Sequence, residues 1–184
     1  RAAGAITDLT ISNIKNPGVS GNTGTFVITT TDTNGATIDT LATVPLVAIT
    51  PGAISSATIT PASLVAGASG NAVLAFTMSN LLPKNGKVVV TFPDGFNLTS
   101  APAASSPSDI DGTFATSVAG QVVTITRQND GTEAAGAITD LTLSNIKNPG
   151  VSGTTGTYTI TTTNTADAAI DTLNTVAEST LTPG

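Results

Sequence analysis

A chain of 184 residues with no Cys, no His, no Trp, five Phe and one Tyr is long enough to bury about one good core. The absent residue types exclude thiol nucleophiles, imidazole bases and the usual soft-metal sites. Six basic residues against twelve acidic ones leave a net charge of −6, so no basic face is available for nucleic acid, and anionic membrane surfaces are disfavoured.

Taken from the N-terminus, the first long feature is one half of a duplication. The fifty residues Ala3–Gly52 recur with no gap as Ala135–Gly184, with 36 of the 50 positions identical at a constant offset of 132. That is a tandem repeat of long period, of which the chain holds about one and a half periods. Repeats that stack end to end make rods and fibres. Arg1 starts within a repeat, so the N-terminus is expected to be a processed or cut end; no signal peptide is legible.

Two-residue alternation dominates the remainder, and helical periodicity is missing. Thr makes up about a fifth of the chain; with Val and Ile it suits strands. Seven strands are predicted, at 57–66, 71–80, 87–92, 113–118, 121–127, 137–146 and 156–164. In the second, Leu74, Phe76 and Met78 point inward; in the third, Val88, Val90 and Phe92; in the fifth, Val123 and Ile125. The sixth places Leu141 and Leu143 opposite Ile138, Asp140, Thr142 and Ser144, a pattern that phases only in part. Gly-, Pro- and Asn-rich turns separate these runs, among them Pro83-Lys84-Asn85-Gly86, Pro93-Asp94-Gly95 and Asn148-Pro149-Gly150. The expected core is Ile59, Leu64, Leu74, Phe76, Val88, Val90, Phe92, Val123, Ile125, Leu141, Ile146, Tyr158 and Ile160.

Seven short strands with a turn every ten to fifteen residues argue for an antiparallel β-sandwich. The runs TPASLVAGASGNAVLAFTMSN, GKVVVTFPDGFNLTS, GQVVTITR, AITDLTLSNIKNPG and GTYTITTT resemble the tandem immunoglobulin-like β-sandwich repeats of extracellular surface and fibre proteins. The resemblance covers 57–163, and its second part recurs in 5–52. It implies an all-β, antiparallel immunoglobulin-like sandwich, repeated with a period of 132 residues. On that division 53–184 is a complete repeat. Residues 1–52 are the closing portion of another: its last two strands and tail.

Two or three strands with one apolar face are not stable alone. Either a longer array supplies the missing strands, or the segment docks on a neighbouring subunit by strand addition. Counting constrains the second option. Each chain has two closing portions and one opening portion, so identical subunits always leave a surplus. The surplus must extend an existing sheet or displace a native closing portion. The assembly candidates are Ile11, Ile14, Phe26, Ile28, Val44, Leu46 and Ile49. The two copies diverge most in the tail, where VPLVAI at 44–49 faces VAESTL at 176–181. The first is expected to be buried at a junction or paired as a strand and the second to face water; drift in a linker explains the difference equally well.

Other signals are sparse. Asn97-Leu98-Thr99 is the only Asn-x-Ser/Thr triplet and a candidate for glycosylation. The Pro-, Ala- and Ser-rich stretch 100–108 reads as a flexible polar loop, with Ser105, Ser106 and Ser108, and the prolines Pro102 and Pro107, as candidates for attached sugar. Asp109, Asp111 and Gly112 begin like a calcium loop but lack its further oxygens, so a turn is favoured and no metal is expected. Asp39 and Asp171, equivalent in the two copies, are expected to cap turns. Asn145, Asn148, Pro149 and Gly150, with Asn13, Asn16, Pro17 and Gly18, are expected to fix the turn between the last two strands. Thr29–Thr31 and Thr161–Thr163 form no array flat or long enough to bind ice. No carboxylate pair is flanked by the aromatic residues a glycosidase cleft uses, so neither catalysis nor a cofactor is expected. Only 10% of residues are charged, against about 25% in ordinary soluble domains, a composition suited to an extracellular structural protein. The sequence therefore predicts a segment of an extracellular or cell-surface filament made of head-to-tail repeats. Its partner would be itself, with covalent glycans in addition; a non-catalytic stalk repeat of a cell-surface adhesin is the alternative.

Overall fold

A computed structural model of the chain describes residue 4 and residues 8–98, 102–128 and 131–184. Among these residues the fold is all-β, with no helix. In chain order the strands are β1 (Gly21–Asn22), β2 (Phe26–Thr31), β3 (Thr37–Val44), β4 (Ala48–Ile49), β5 (Gly52–Ala53), β6 (Ser55–Pro61), β7 (Ser69–Leu82) and β8 (Lys87–Thr91). They continue as β9 (Ala104–Ser105), β10 (Phe114–Ala119), β11 (Val122–Arg127), β12 (Ala134–Lys147), β13 (Gly153–Thr154), β14 (Tyr158–Thr163), β15 (Ala169–Val176) and β16 (Thr180–Leu181).

Two sheets share one core. One runs β6-β7-β12-β9 and the other β10-β11-β8-β14-β15-β5. All pairs within them are antiparallel except β15–β5, which is parallel. Alternation decides which side chains enter the core, because successive side chains of a strand point to opposite faces. Leu74, Phe76 and Met78 of β7 are buried, as are Val88 and Val90 of β8, Val123 and Ile125 of β11, and Ile160 of β14. Phe92, Phe96 and Tyr158 meet edge-on or tilted, with ring centroids 5.3 to 5.8 Å apart, a favoured geometry for aromatic rings.

The partly phased strand has a cause. β12 pairs with β7 with register shifts between Ile138 and Leu141 and between Leu143 and Ile146. Each shift is a bulge that swaps the inward face, so Ile138, Leu141, Leu143 and Ile146 are all buried although no single period joins them. Asn145, in the second bulge, takes a left-handed φ of 59°, which Asn tolerates better than most residues.

Four expectations are corrected. Leu64 is not core; it lies beyond the end of β6 and is half exposed. The seven predicted strands leave one out: Ala169–Val176 forms β15 beside β14. The stretch 100–108, described from 102 onward, is not a free loop, since Ala104–Ser105 adds β9 to the edge of β12. In the tails the expected contrast holds only in part. Ala48–Ile49 pairs with β1 as expected, and Ala177, Glu178 and Thr180 are exposed, but Leu46 and Val47 are exposed, whereas Val176 and Leu181 are buried.

Identical chemistry in the two copies thus sits in different surroundings. We expect Ile160→Ala to lower unfolding stability by about 2–5 kcal/mol, and Ile28→Ala, at the equivalent exposed position, to change it by no more than about 0.5 kcal/mol. Urea denaturation of the two variants checks this; equal losses would contradict the difference in burial.

Candidate functional site

The site worth building is the first copy of the duplication, because its own second copy provides the reference. Displaced by 132, the strands β1, β2, β3 and β4 coincide residue for residue with β13, β14, β15 and β16. The registers coincide as well: Phe26 faces Val44 as Tyr158 faces Val176, Ile28 faces Leu41 as Ile160 faces Leu173, and Thr30 faces Asp39 as Thr162 faces Asp171. The hairpin turns are built alike. Asp32 Oδ1 accepts the N–H groups of Asn34 and Ala36, and Asn164 Oδ1 accepts those of Ala166 and Ala168. Local sequence therefore sets the turns and registers of these hairpins.

The long strand is different. Residues 140–147 lie in β12, but 8–15, their copies, carry no strand. β12 exists against β7, and among the described residues no strand pairs with 8–15. The side chains follow. Leu9, Ile11 and Ile14 are 77%, 70% and 70% exposed, against 0%, 0% and 2% for Leu141, Leu143 and Ile146. Phe26 and Ile28 are 47% and 55% exposed, while Tyr158 and Ile160 are fully buried. Of the other assembly candidates, Leu46 is exposed, and Val44 and Ile49 are half-buried. Clustered apolar exposure of this kind marks an interaction surface more often than a free one. A cleft of about 310 Å³ opens beside Phe26, Val47 and Ile49.

Polar groups repeat the contrast. Asp171 is fully buried, in mid-strand rather than capping a turn. Its carboxylate accepts the backbone N–H groups of Ser79 (3.0 Å) and Asn80 (2.8 Å) and the Asn80 side-chain amide (2.7 Å). These bonds tie the six-stranded sheet to the end of β7. Asp39 is exposed and meets only the Thr30 hydroxyl, at 3.2 Å, among the side-chain bonds described. Asn148 is buried and donates to the carbonyls of Ser63 (2.8 Å) and Val65 (3.0 Å). It anchors the 63–65 loop instead of merely shaping a turn; Asn16, its copy, is exposed.

The first copy is joined to the sheets that follow it through tight contacts. Gly52 and Ala53, as β5, pair in parallel with Asp171 and Thr172. A Cβ on Gly52 would stand 2.1 Å from Asp171 Oδ1 and 2.4 Å from Asn80 Nδ2, so only glycine fits there. The Ser79 hydroxyl donates to the Ala53 carbonyl at 2.6 Å, and the Ser20 N–H donates to Ala169 O at 2.8 Å.

The remaining candidates divide. Asn97 is exposed, and its backbone exchanges two hydrogen bonds with Lys147; Thr99 of its triplet lies outside the described residues. Ser105 and Ser108 are exposed. Ser106 is buried; its hydroxyl donates to Asp140 Oδ1 at 2.5 Å and accepts the Ile110 N–H at 3.0 Å, so it is withdrawn as an acceptor of sugar. Asp109 accepts the Thr139 hydroxyl at 2.7 Å and its N–H at 2.5 Å. Asp111 accepts the Thr132 N–H and hydroxyl and pairs with the buried Arg127. These carboxylates brace the loop before β10, and no cluster of metal-ligating side chains is found among the described residues. No helix among them is long and apolar enough to cross a membrane.

No family model matches this chain, and no curated protein matches it. Solved structures that are similar in part include the following two. BslA, a bacterial hydrophobin, is 20% identical, with 72% of this chain and 98% of that one covered and a TM-score of 0.39. A non-cellulosomal cohesin from the hyperthermophilic archaeon Archaeoglobus fulgidus is 8% identical, with 71% and 92% covered and a TM-score of 0.40.

Two outcomes are expected. Asp171→Ala should cost about 3 kcal/mol or more, since it strands two backbone N–H groups and an amide. Asp39→Ala should stay within about 0.5 kcal/mol; calorimetry on both variants tests the pair. Hydrogen bonds hold the carboxyls of Asp109 (from Thr139 chiefly) and Asp111 (from the Thr132 N–H chiefly) below their ordinary pKa of 3.8. Groups depressed on folding contribute stability that is present above the unfolded pKa and lost as pH falls through the folded one. The melting temperature should therefore fall as pH drops below about 3.8, and Asp111→Asn should flatten that fall; an unchanged acid limb would refute the role of Asp111.

Proposed function

We propose that this chain is a structural, non-catalytic segment of an extracellular filament built from head-to-tail immunoglobulin-like β-sandwich repeats with a period of 132 residues. The observation that supports it best is the duplication: β1 to β4 of the first copy recur as β13 to β16 of the second, and the β2–β3 and β14–β15 hairpins share their registers. A seam at Gly52 leads from one unit directly into a sheet of the next, which is how a rod propagates without a flexible linker. Low charge and abundant Thr leave a surface on which repeats can pack or carry sugar, with Asn97, Ser105 and Ser108 as exposed acceptors. The partner in this reading is the repeat itself.

The test is the mass of the native polypeptide under denaturing conditions after removal of sugar, together with negative-stain microscopy of the undenatured material. A mass many times 18.1 kDa, or filaments with a regular axial repeat, is expected. A polypeptide near that mass which stays monomeric at high concentration, with no filaments, would refute the filament and favour a role as an isolated or stalk domain.

A further inference from the structure

We infer that the exposed face of the first copy is a docking surface for the opening portion of another repeat, a polypeptide of the kind of residues 53–134, and that Asp39 fixes its register. This rests on the repeat reading above and specifies the partner. The chain itself carries the template. In the second copy, the partners of the long strand, of Tyr158, of Asn148 and of the Asp171 carboxylate come from 53–134. Leu141 sits opposite Leu74, Leu143 opposite Ala72 and Ile146 opposite Gly70 in β7. Tyr158 meets Phe92 and Phe96. Asn148 reaches the carbonyls of Ser63 and Val65, and Asp171 takes the donors of Ser79 and Asn80.

Every receiving group has its counterpart in the first copy. Leu9, Ile11 and Ile14 stand for Leu141, Leu143 and Ile146; Phe26 stands for Tyr158; Asn16 and Asp39 stand for Asn148 and Asp171. The changes at the face, Ile for Leu and Phe for Tyr, keep shape and apolarity. The hairpins are already in the registers they hold when buried, so docking has only to order 8–15 as a strand. An exposed set of apolar side chains is indiscriminate by itself. A carboxylate that needs two adjacent backbone N–H groups and an amide is not: a slip of one residue along the partner strand turns every side chain over and removes the donors. Asp39 thereby selects one register out of those the apolar face tolerates.

The occupant is not a whole second copy of this chain. In such a copy 53–134 is already covered by its own 135–184, and the incoming closing portion is too similar to displace it with any gain. The occupant is an opening portion whose own closing portion lies elsewhere.

Hydrogen exchange on two proteins tests this: the 184-residue chain, and the same chain with residues 53–134 joined ahead of Ala3. In the joined protein the amides of 8–15 and 26–31 should slow by about a hundredfold or more, toward the rates of 140–147 and 158–163. If 8–15 exchanges equally fast in both, the docking is refuted. In the joined protein Asp39→Ala, with the fold held by the apolar face, should raise exchange at 38–44 by about tenfold; no change there would refute the register role. Concentration-dependent protection of 8–15 in the unmodified chain would name a second copy as the occupant and overturn the proposal. Filaments that form while 8–15 remains unprotected would sink this inference and leave the filament reading intact.

Discussion

Backbone hydrogen bonding across the β7–β12 pair is the constraint on which the rest of the structure depends. A strand in the middle of a sheet cannot satisfy its N–H and C=O groups from its own sequence. β12 lies between β7 and β9, and its apolar residues become core only once β7 fixes which way they face. The first copy makes this visible, because nearly the same residues at 8–15 hold no strand where, among the described residues, none pairs with them. Hairpins β2–β3 and β14–β15 form alike in both surroundings, since their turns and registers are set locally. Secondary structure in this chain thus has two tiers, one dictated by short-range sequence and one conditional on a partner.

Asp171 joins those tiers. It belongs to a locally formed hairpin, yet its carboxylate holds the end of a strand in the opposite sheet. A buried carboxylate is costly unless its lone pairs are occupied, and the three donors at 2.7 to 3.0 Å occupy them. Such an arrangement is satisfied in one register of β15 against β7, because Ser79 and Asn80 supply its donors. Gly52 belongs to the same arrangement, because a side chain there would take the place of the donor and acceptor.

The inward faces of β7, β8 and β11 could be read from sequence because each alternates without interruption: Leu74-Phe76-Met78, Val88-Val90-Phe92, Val123-Ile125. Twelve of the thirteen expected core residues are buried, and Leu64 fails because it lies past the strand end where alternation has no force. β12 resisted phasing because its two bulges break the period, and the left-handed Asn145 was the visible trace of one of them. β15 was passed over because Asp171 and its Thr neighbours look like a polar tail; an acid whose partners are backbone N–H groups leaves no signature at any fixed spacing. The duplication showed where to look for the candidate site. It did not show that Leu46 and Val47 would be exposed and Val176 and Leu181 buried, since exposure there is set by what packs against each copy and not by its own hydrophobicity.

The parallel pairing of β5 with β15 has a mechanical consequence. Tension along the chain would enter the two packed sheets at Gly52, the first residue of β5, and be resisted near the other terminus by β15, which runs in the same direction. The tail beyond is held in the same sense, by the parallel bridge of Val65 to Thr182. Strands that run parallel and are drawn from opposite ends are loaded in shear, so their bonds share the force. Antiparallel strands peeled from one end yield one bond at a time. Placed in a row, such domains would carry a pull through their sheets, with the least cooperative region being any closing portion left without its partner.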